Sequence, residues 1–347
     1  MTYHCMFAAA MLAVVRAQDR PLLSTIATVP ELSSFSAVVL ASGGSQPNPA
    51  FEERFNSVLD GRNYTALAPT NDAINKISPA VVEALTAAPA YPIFESIIRT
   101  HVAEGLVTSA DVVSASPFEA IEGFPLTAAV GGEQAILVNN QAQIVAVDTF
   151  ASNGVVHQID QVLNPFTGYF GISNATAAPT TSDTGGTVGD ILLSDQRLST
   201  IRDILQALSP DLINVRLRLA EAGGTPQIFA VPSNDAFVGL PDNTVDSSIA
   251  PSNQPLSLQL YSFGLLGTDA RFADLDFSSG PINVPSSVTG INVTATQADG
   301  GATFLNNAAI QEQVCGSNGC VWIVDRVLDP LYLAFGPLNR DVVLIGH

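Results

Sequence analysis

Apolar residues recur at helical spacing along Leu22–Leu40 and again along Val188–Leu208, a pattern that predicts helices with one buried face. Short apolar runs follow each, Thr65–Ala68 and Ile228–Val231, and both stop at a proline. Runs of that length, ended that way, read as buried strands. An Asn-Asp pair stands just after each, at Asn71-Asp72 and Asn234-Asp235. A side-chain oxygen there is expected to accept from the free N–H groups of a following helix. Ser78-Pro79 opens another helix, with proline at a tolerated early position, and Pro92–Val102 reads as one more. From Leu126 to Leu163 the pattern becomes strand-like, with turns at Gly131-Gly132 and Asn139-Asn140. Helices early and strands late predict an α+β unit: a small β-sandwich with helices at one end.

The pattern occurs twice. Tyr64–Ile74 reads YTALAPTNDAI and Gln227–Phe237 reads QIFAVPSNDAF, so Pro69 and Pro232 stand 163 residues apart. Asn153–Pro165 reads NGVVHQIDQVLNP and Asn318–Pro330 reads NGCVWIVDRVLDP, which sets Pro165 and Pro330 165 apart. Two blocks at nearly one offset indicate a duplicated domain, too long for a solenoid repeat. Between the copies, Asn174–Gly186 (NATAAPTTSDTGG) lacks apolar periodicity and reads as linker. The expected division is a signal peptide at 1–17, domain one at 18–171, a linker at 172–186 and domain two at 187–347.

Composition narrows the chemistry. Of 347 residues, 47% are apolar and 13% charged, so each half can bury a core of its own. The formal net charge is −19 and Lys76 is the only lysine. Nucleic acids and anionic membranes need clustered Lys and Arg, and are not expected partners. Cys5–Val15 is an apolar run of signal-peptide length, and Val15-Arg16-Ala17 ends in a small residue, so cleavage is expected after Ala17. No transmembrane segment is expected, because spanning a bilayer takes about 20 apolar residues. Asp341–His347 shows no long apolar tail of the lipid-anchor kind. Three N-x-S/T sequons, at Asn63, Asn174 and Asn292, agree with a secreted glycoprotein. Asn174 sits in the linker, whereas Asn63 directly precedes a buried strand. With the signal peptide gone, Cys315 and Cys320 are the remaining cysteines. They flank the turn Gly316–Gly319, and an even count in an oxidising compartment predicts a disulfide. A redox C-x-x-C pair or a zinc set is the poorer reading of that spacing.

The two repeated boxes resemble those of the fasciclin-like (fasciclin I) domain family. Tyr64–Ile74 and Gln227–Phe237 are similar to its T-x-F-A-P-T-N-x-A-F box. Asn153–Pro165 and Asn318–Pro330 are similar to its N-G-x-I-H-x-I-D-x-V-L-x-P box. The resemblance implies two tandem fasciclin-like domains, each a small β-sandwich with a helical cap. It also implies extracellular work in adhesion, matrix assembly or cell-wall association. Alternate residues of the second box share a strand face, Val155, His157, Ile159 and Leu163, matched by Cys320, Trp322, Val324 and Leu328. His157 thus corresponds to Trp322, which reads as packing. Asp160 and Asp325 recur on the opposite face, where they are expected to accept hydrogen bonds. The family's Tyr-His pair, associated in some members with adhesion, survives here in halves: Thr100-His101 keeps the histidine and Tyr261-Ser262 the tyrosine. His101 and Tyr261 are therefore the candidate binding residues.

No G-x-S-x-G, H-E-x-x-H or phosphate-binding glycine loop is present in the sequence. Only His101, His157 and the terminal His347 offer a base once the signal peptide is gone. Asp274-Leu275-Asp276 before Gly280 lacks the further ligands of a calcium loop and reads as a surface turn. No cofactor or metal is implied. The leading expectation is a secreted glycoprotein that binds an extracellular protein or polysaccharide at a cell surface, wall or matrix. The alternative is an auxiliary protein or enzyme acting on an apolar small molecule in an extracellular biosynthetic pathway, with His101 and His157 as candidate catalytic groups.

Overall fold

The computed structural model describes residues 20–41, 55–56, 61–87, 90–121, 125–132, 135–217, 227–266, 275–286, 291–332 and 334–335. The expected signal peptide, Asp274 and His347 lie outside them. The chain divides into two compact units, Met1–Val82 with Phe94–Pro165 and Phe335–His347, and Glu83–Ile93 with Phe166–Ala334.

The first long helical stretch is three pieces. Helix α1 (Leu22–Ile26) is followed by a 3-10 turn at Pro30–Leu32 and by α2 (Ser33–Ala41). Pro30 supplies no N–H, which breaks the run. Strand β1 (Tyr64–Pro69) then leads to α3 (Asn71–Asn75), α4 (Pro79–Thr86) and α5 (Tyr91–Thr100). The expected helix Pro92–Val102 stops two residues sooner because Val102 begins a strand. Seven strands complete this half of the chain: β2 (Val102–Glu104), β3 (Phe118–Glu119), β4 (Pro125–Leu126), β5 (Ala128–Val130), β6 (Ile136–Val138), β7 (Ala142–Ala151) and β8 (Gly154–Ile159). The short helix α6 (Thr167–Phe170) follows.

The main sheet of the first unit runs β2-β1-β8-β7-β6-β5. Strands β1 and β8 are parallel, Tyr64 opposite Gly154 through Pro69 opposite Ile159. A central parallel pair is covered on both faces, which is why both boxes read as near-continuous apolar runs rather than alternating ones. Gly154 is required where it stands: a Cβ there would lie 2.2 Å from the Tyr64 carbonyl oxygen. Strand β7 serves two layers, pairing with β6 through Ala142–Gln143 and with β8 from Ile144 to Ala151. Leu67, Ile159 and Leu163 from one layer meet Leu126, Ala128, Val138 and Ile144 in a single buried cluster. Asn139 and Asn140 both hold positive φ at the β6–β7 turn, as the pair predicts.

The second unit repeats this plan. Its elements are β9 (Thr180–Asp183), α7 (Val188–Ser194), α8 (Ser199–Leu208), β10 (Gln227–Pro232), α9 (Thr244–Ile249), α10 (Gln254–Ser262) and β11 (Leu265–Leu266). After them come β12 (Ile282–Pro285), β13 (Asn292–Gln297), β14 (Thr303–Leu305), β15 (Ala308–Gly316) and β16 (Gly319–Val324). Its sheet runs β11-β10-β16-β15-β14-β13-β12, with β10 and β16 parallel. The fold is α+β, two tandem domains of one topology.

Two readings of the sequence change here. Residues 172–186, read as linker, are tied into the second unit: Ser173 N donates to Asn307 O at 2.8 Å, and β9 pairs in parallel with β15. Ladder bonds and hydroxyls hold that strand, so it needs no apolar period. The Asn of each NDA box does not cap the helix that follows. Thr70 caps α3, its hydroxyl accepting from Ala73 N at 3.2 Å. Asn71 instead reaches back to the earlier helix, accepting from Ser34 N at 2.8 Å and donating to Pro30 O at 2.9 Å. Asn234 does the same, accepting from Thr200 N and donating to Gln196 O.

Candidate functional site

His101 links α5 to β2, and its ring is fully buried. Nδ1 lies 2.8 Å from Ile97 O, and Leu163 N lies 3.0 Å from Nε2. An amide N–H only donates, so Nε2 is the bare nitrogen and Nδ1 carries the proton. Burial pushes the imidazole down to about 4, against the opposing pull of the Ile97 carbonyl. The Phe35 ring packs against it, 5.8 Å between centroids. His101 therefore bridges a helix end to the chain after β8.

The second unit solves the same place without a side chain. Leu67 N donates to His101 O, and Ala230 N donates to Gly264 O; each bond extends the corresponding strand pair. Gly264 is the counterpart of His101, and a Cβ there would lie 2.0 Å from Ala230 O and 3.1 Å from Leu328 Cδ1. Thr100-His101 thus align with Phe263-Gly264, not with Tyr261-Ser262. The helix ends one residue earlier relative to the strand in the second unit, and the 163-residue offset of the first boxes gives the same alignment. Tyr261 is buried within α10, where its hydroxyl meets Ser248 Oγ at 2.9 Å and burial pushes it up to about 12. It presents no hydroxyl to an outside partner.

His157 lies on β8 and is also fully buried. Nε2 sits 2.8 Å from Val107 O and therefore carries the proton, while Nδ1 accepts from Asp148 N at 3.3 Å. Asp148 occupies a bulge of β7 with φ of 57°. Its carboxylate accepts from both Ser109 N and the Ser109 hydroxyl. Ser, Asp and His are thus neighbours in the wrong order for a nucleophile: the hydroxyl is bonded to the carboxylate rather than to imidazole. In the second unit Trp322 fills the position of His157 and donates to Gln313 Oε1 at 2.9 Å. Each domain thus puts a ring N–H at this position and supplies a buried acceptor for it. Using either histidine as a base would require breaking the bonds that seat it.

Other expectations land as packing. Asp160 and Asp325 accept from Gln143 N and Ala309 N, at 2.7 and 2.8 Å, fixing neighbouring strands. Asp276 accepts from Ser278 N within a surface turn, and the Ser278 hydroxyl first, then this N–H, hold its carboxyl below the usual range. The sequence reading missed Asn153 and Asn318. Their amides accept from the first helical N–H of each domain, Leu22 and Val188, and donate to Phe55 O and Leu217 O. Their signal was the repeated Asn-Gly, read only as a turn. Asn63, Asn174 and Asn292 are exposed, so Asn63 is as open as the other two.

Cys315 and Cys320 face each other across β15 and β16 and form a disulfide. Replacing both with serine is expected to lower the stability of the second unit by about 2 kcal/mol, the entropy of closing so short a loop. Urea unfolding followed by Trp322 emission checks this.

Residues 50–165 match the Fasciclin domain family. The chain is 32% identical over 100 residues to protein sll1735 of Synechocystis, 29% of this chain and 71% of that one. This chain belongs to the fasciclin-domain family. Other fasciclin-domain relatives include human periostin, 28% identical over 192 residues, 54% of this chain and 21% of periostin. The cell surface glycolipoprotein MPB83 of Mycobacterium bovis is 29% identical over 149 residues, 43% of this chain and 62% of that one. The chain thus spans about a fifth of periostin's length. A solved fasciclin-domain pair from the insect cell adhesion molecule Fasciclin I aligns at 15% identity over 87% of this chain and 98% of that one, with a TM-score of 0.33.

Proposed function

We propose that this fasciclin-domain protein is a secreted glycoprotein that binds an extracellular protein or polysaccharide at a cell surface, wall or matrix. Likeness to a cell surface glycolipoprotein carries the reading. Three exposed sequon asparagines agree with it, and no single helix among the described residues is long and apolar enough to cross a membrane. Burial of His101 and His157 with their ring nitrogens bonded weighs against the small-molecule enzyme.

The test is retention of the glycosylated chain, residues 18–347, on isolated wall polysaccharide and on matrix protein. Salt series and enzymatic deglycosylation control for charge and glycan. Saturable retention that survives both, and that a still-folded His157→Gln protein keeps, is the expected result. No retention on any polymer, together with a small molecule that co-purifies and is lost from that variant, overturns it.

A further inference from the structure

Strand β15 is walled on both edges. Ile310–Gly316 pair with β16, and Glu312–Cys315 pair on the other side with β9, Glu312 opposite Thr180 through Cys315 opposite Asp183. From β9 the chain turns into α7 by three bonds: Thr184 N to Cys315 O, Ser317 N to Gly186 O and Val188 N to Asn318 Oδ1. The first unit reproduces the last two, Ser152 N to Arg20 O and Leu22 N to Asn153 Oδ1. Gly186 and Arg20 stand 166 apart, as do Val188 and Leu22. By the same offset of 166, the sequence positions answering to Thr180–Asp183 are residues 14–17, Val-Val-Arg-Ala, inside the expected signal peptide that cleavage after Ala17 removes.

Among the described residues no strand pairs with the outer edge of β7 beyond Gln143. Its surface differs accordingly. Phe150 is 36% exposed and Thr149 half-buried, whereas their counterparts beside β9, Cys315 and Val314, are 1% and 5% exposed; Val145 and Val147, just before them on β7, are 51% and 46% exposed. The chemistry differs too. Ser182 of β9 donates to Glu312 at 2.7 Å, and Arg197 holds the other oxygen of that carboxylate at 2.6 Å. Where Glu312 opposes Ile323, the first unit has Ala146 opposing Gln158, with valines on either side. A hydroxyl-rich strand suits β15, and an apolar one suits β7.

We propose that the outer edge of β7, from Val145 to Phe150, takes up an extended segment of a partner polypeptide as an added parallel strand. The segment is β-branched at successive positions and neutral or basic. Main-chain bonds supply the attachment, and the exposed valines and Phe150 select apolar side chains. A second copy of this chain is a poor occupant. Copies at −19 repel one another. The same charge draws a basic segment in.

This inference rests on the binding-module reading, and its test separates the two. The chain of residues 18–347 is titrated with a labelled peptide, LAVVRAQ, the sequence of residues 12–18. Fluorescence polarisation and amide exchange report binding, with a scrambled peptide as control. Saturation is expected to slow exchange at residues 146–151 at least tenfold. Val145→Lys and Val147→Lys are each expected to weaken the peptide by about tenfold, since charge on an edge opposes strand addition. A chain that begins at Leu12, and so keeps the apolar residues 14–17, supplies its own strand and is expected to lose binding. Unchanged affinity in both lysine variants, unchanged exchange at 146–151, or a dimer that Val147→Lys dissociates overturns the proposal. Loss of the peptide site with polymer retention intact leaves the binding function standing without this edge; loss of both removes both.

Discussion

Trp322→Ala is expected to destabilise the second unit by about 3–5 kcal/mol, the usual range for emptying a large buried aromatic site. Trp322 is the largest fully buried side chain in the structure and lies on β16, between β10 and β15. Its indole N–H is bonded to Gln313, itself buried. Trp322→Phe keeps most of the ring and removes that bond, for a smaller loss of about 1–3 kcal/mol. Trp322 is the only tryptophan, so far-UV circular dichroism in urea measures both variants. Equal midpoints for wild type and Trp322→Ala would contradict the packing described for β16.

The second large effect is a dependence on acid. His101 is neutral in the fold, with its pKa lowered from 6.5 to about 4, chiefly by burial. The unfolded chain takes up a proton as pH falls through 6.5, whereas the folded chain does so only near 4. Stability therefore drops between those values and gains no further slope from this group below them. The full loss is about 3 kcal/mol, from roughly 1.4 kcal/mol per pKa unit. Asp195, held below its ordinary value chiefly by its bond to Arg197, acts lower, as pH falls past its ordinary 3.8. His101→Gln is expected to weaken the protein by about 1–3 kcal/mol at pH 7, because Leu163 N loses its buried acceptor. It should also flatten the decline between pH 6.5 and 4. Urea midpoints at pH 7, 5.5 and 4.5 for both proteins decide it; parallel slopes would exclude His101 as the source.

The first effect comes from a residue that the sequence marked as packing and the second from one it marked as a candidate for chemistry, and the reason lies in what a motif conveys. The alternation Val155, His157, Ile159 and the match of His157 to Trp322 already pointed to packing, and the buried ring of His157 agrees. His101 and Tyr261 were drawn from a two-residue pair that sets Tyr261 161 residues after Thr100, out of step with the 163-residue offset of the first boxes. Strand pairing, a long-range property, puts Gly264 opposite His101. Asn71 and Asn153 show the same limit. Their types suggested a cap and a turn, yet each amide works across tens of residues of chain, Asn71 to Ser34 and Asn153 to Leu22 and Phe55.

The sequence by itself determined the duplication, the α+β class, the box strands β1, β8, β10 and β16 and the cysteine pair. Each rests on local periodicity or on repeated blocks at one offset, which need no knowledge of distant contacts. Only the tertiary structure decided that 174–186 contributes β9 to the second sheet, that the NDA asparagines staple the preceding helices, and that both histidines are sealed. It alone decided that β15 is paired on its outer edge by β9, whereas among the described residues no strand pairs with the outer edge of β7 beyond Gln143. Those outcomes depend on which backbone N–H and carbonyl groups meet across the fold, and a polar residue's type does not say which buried group it will satisfy.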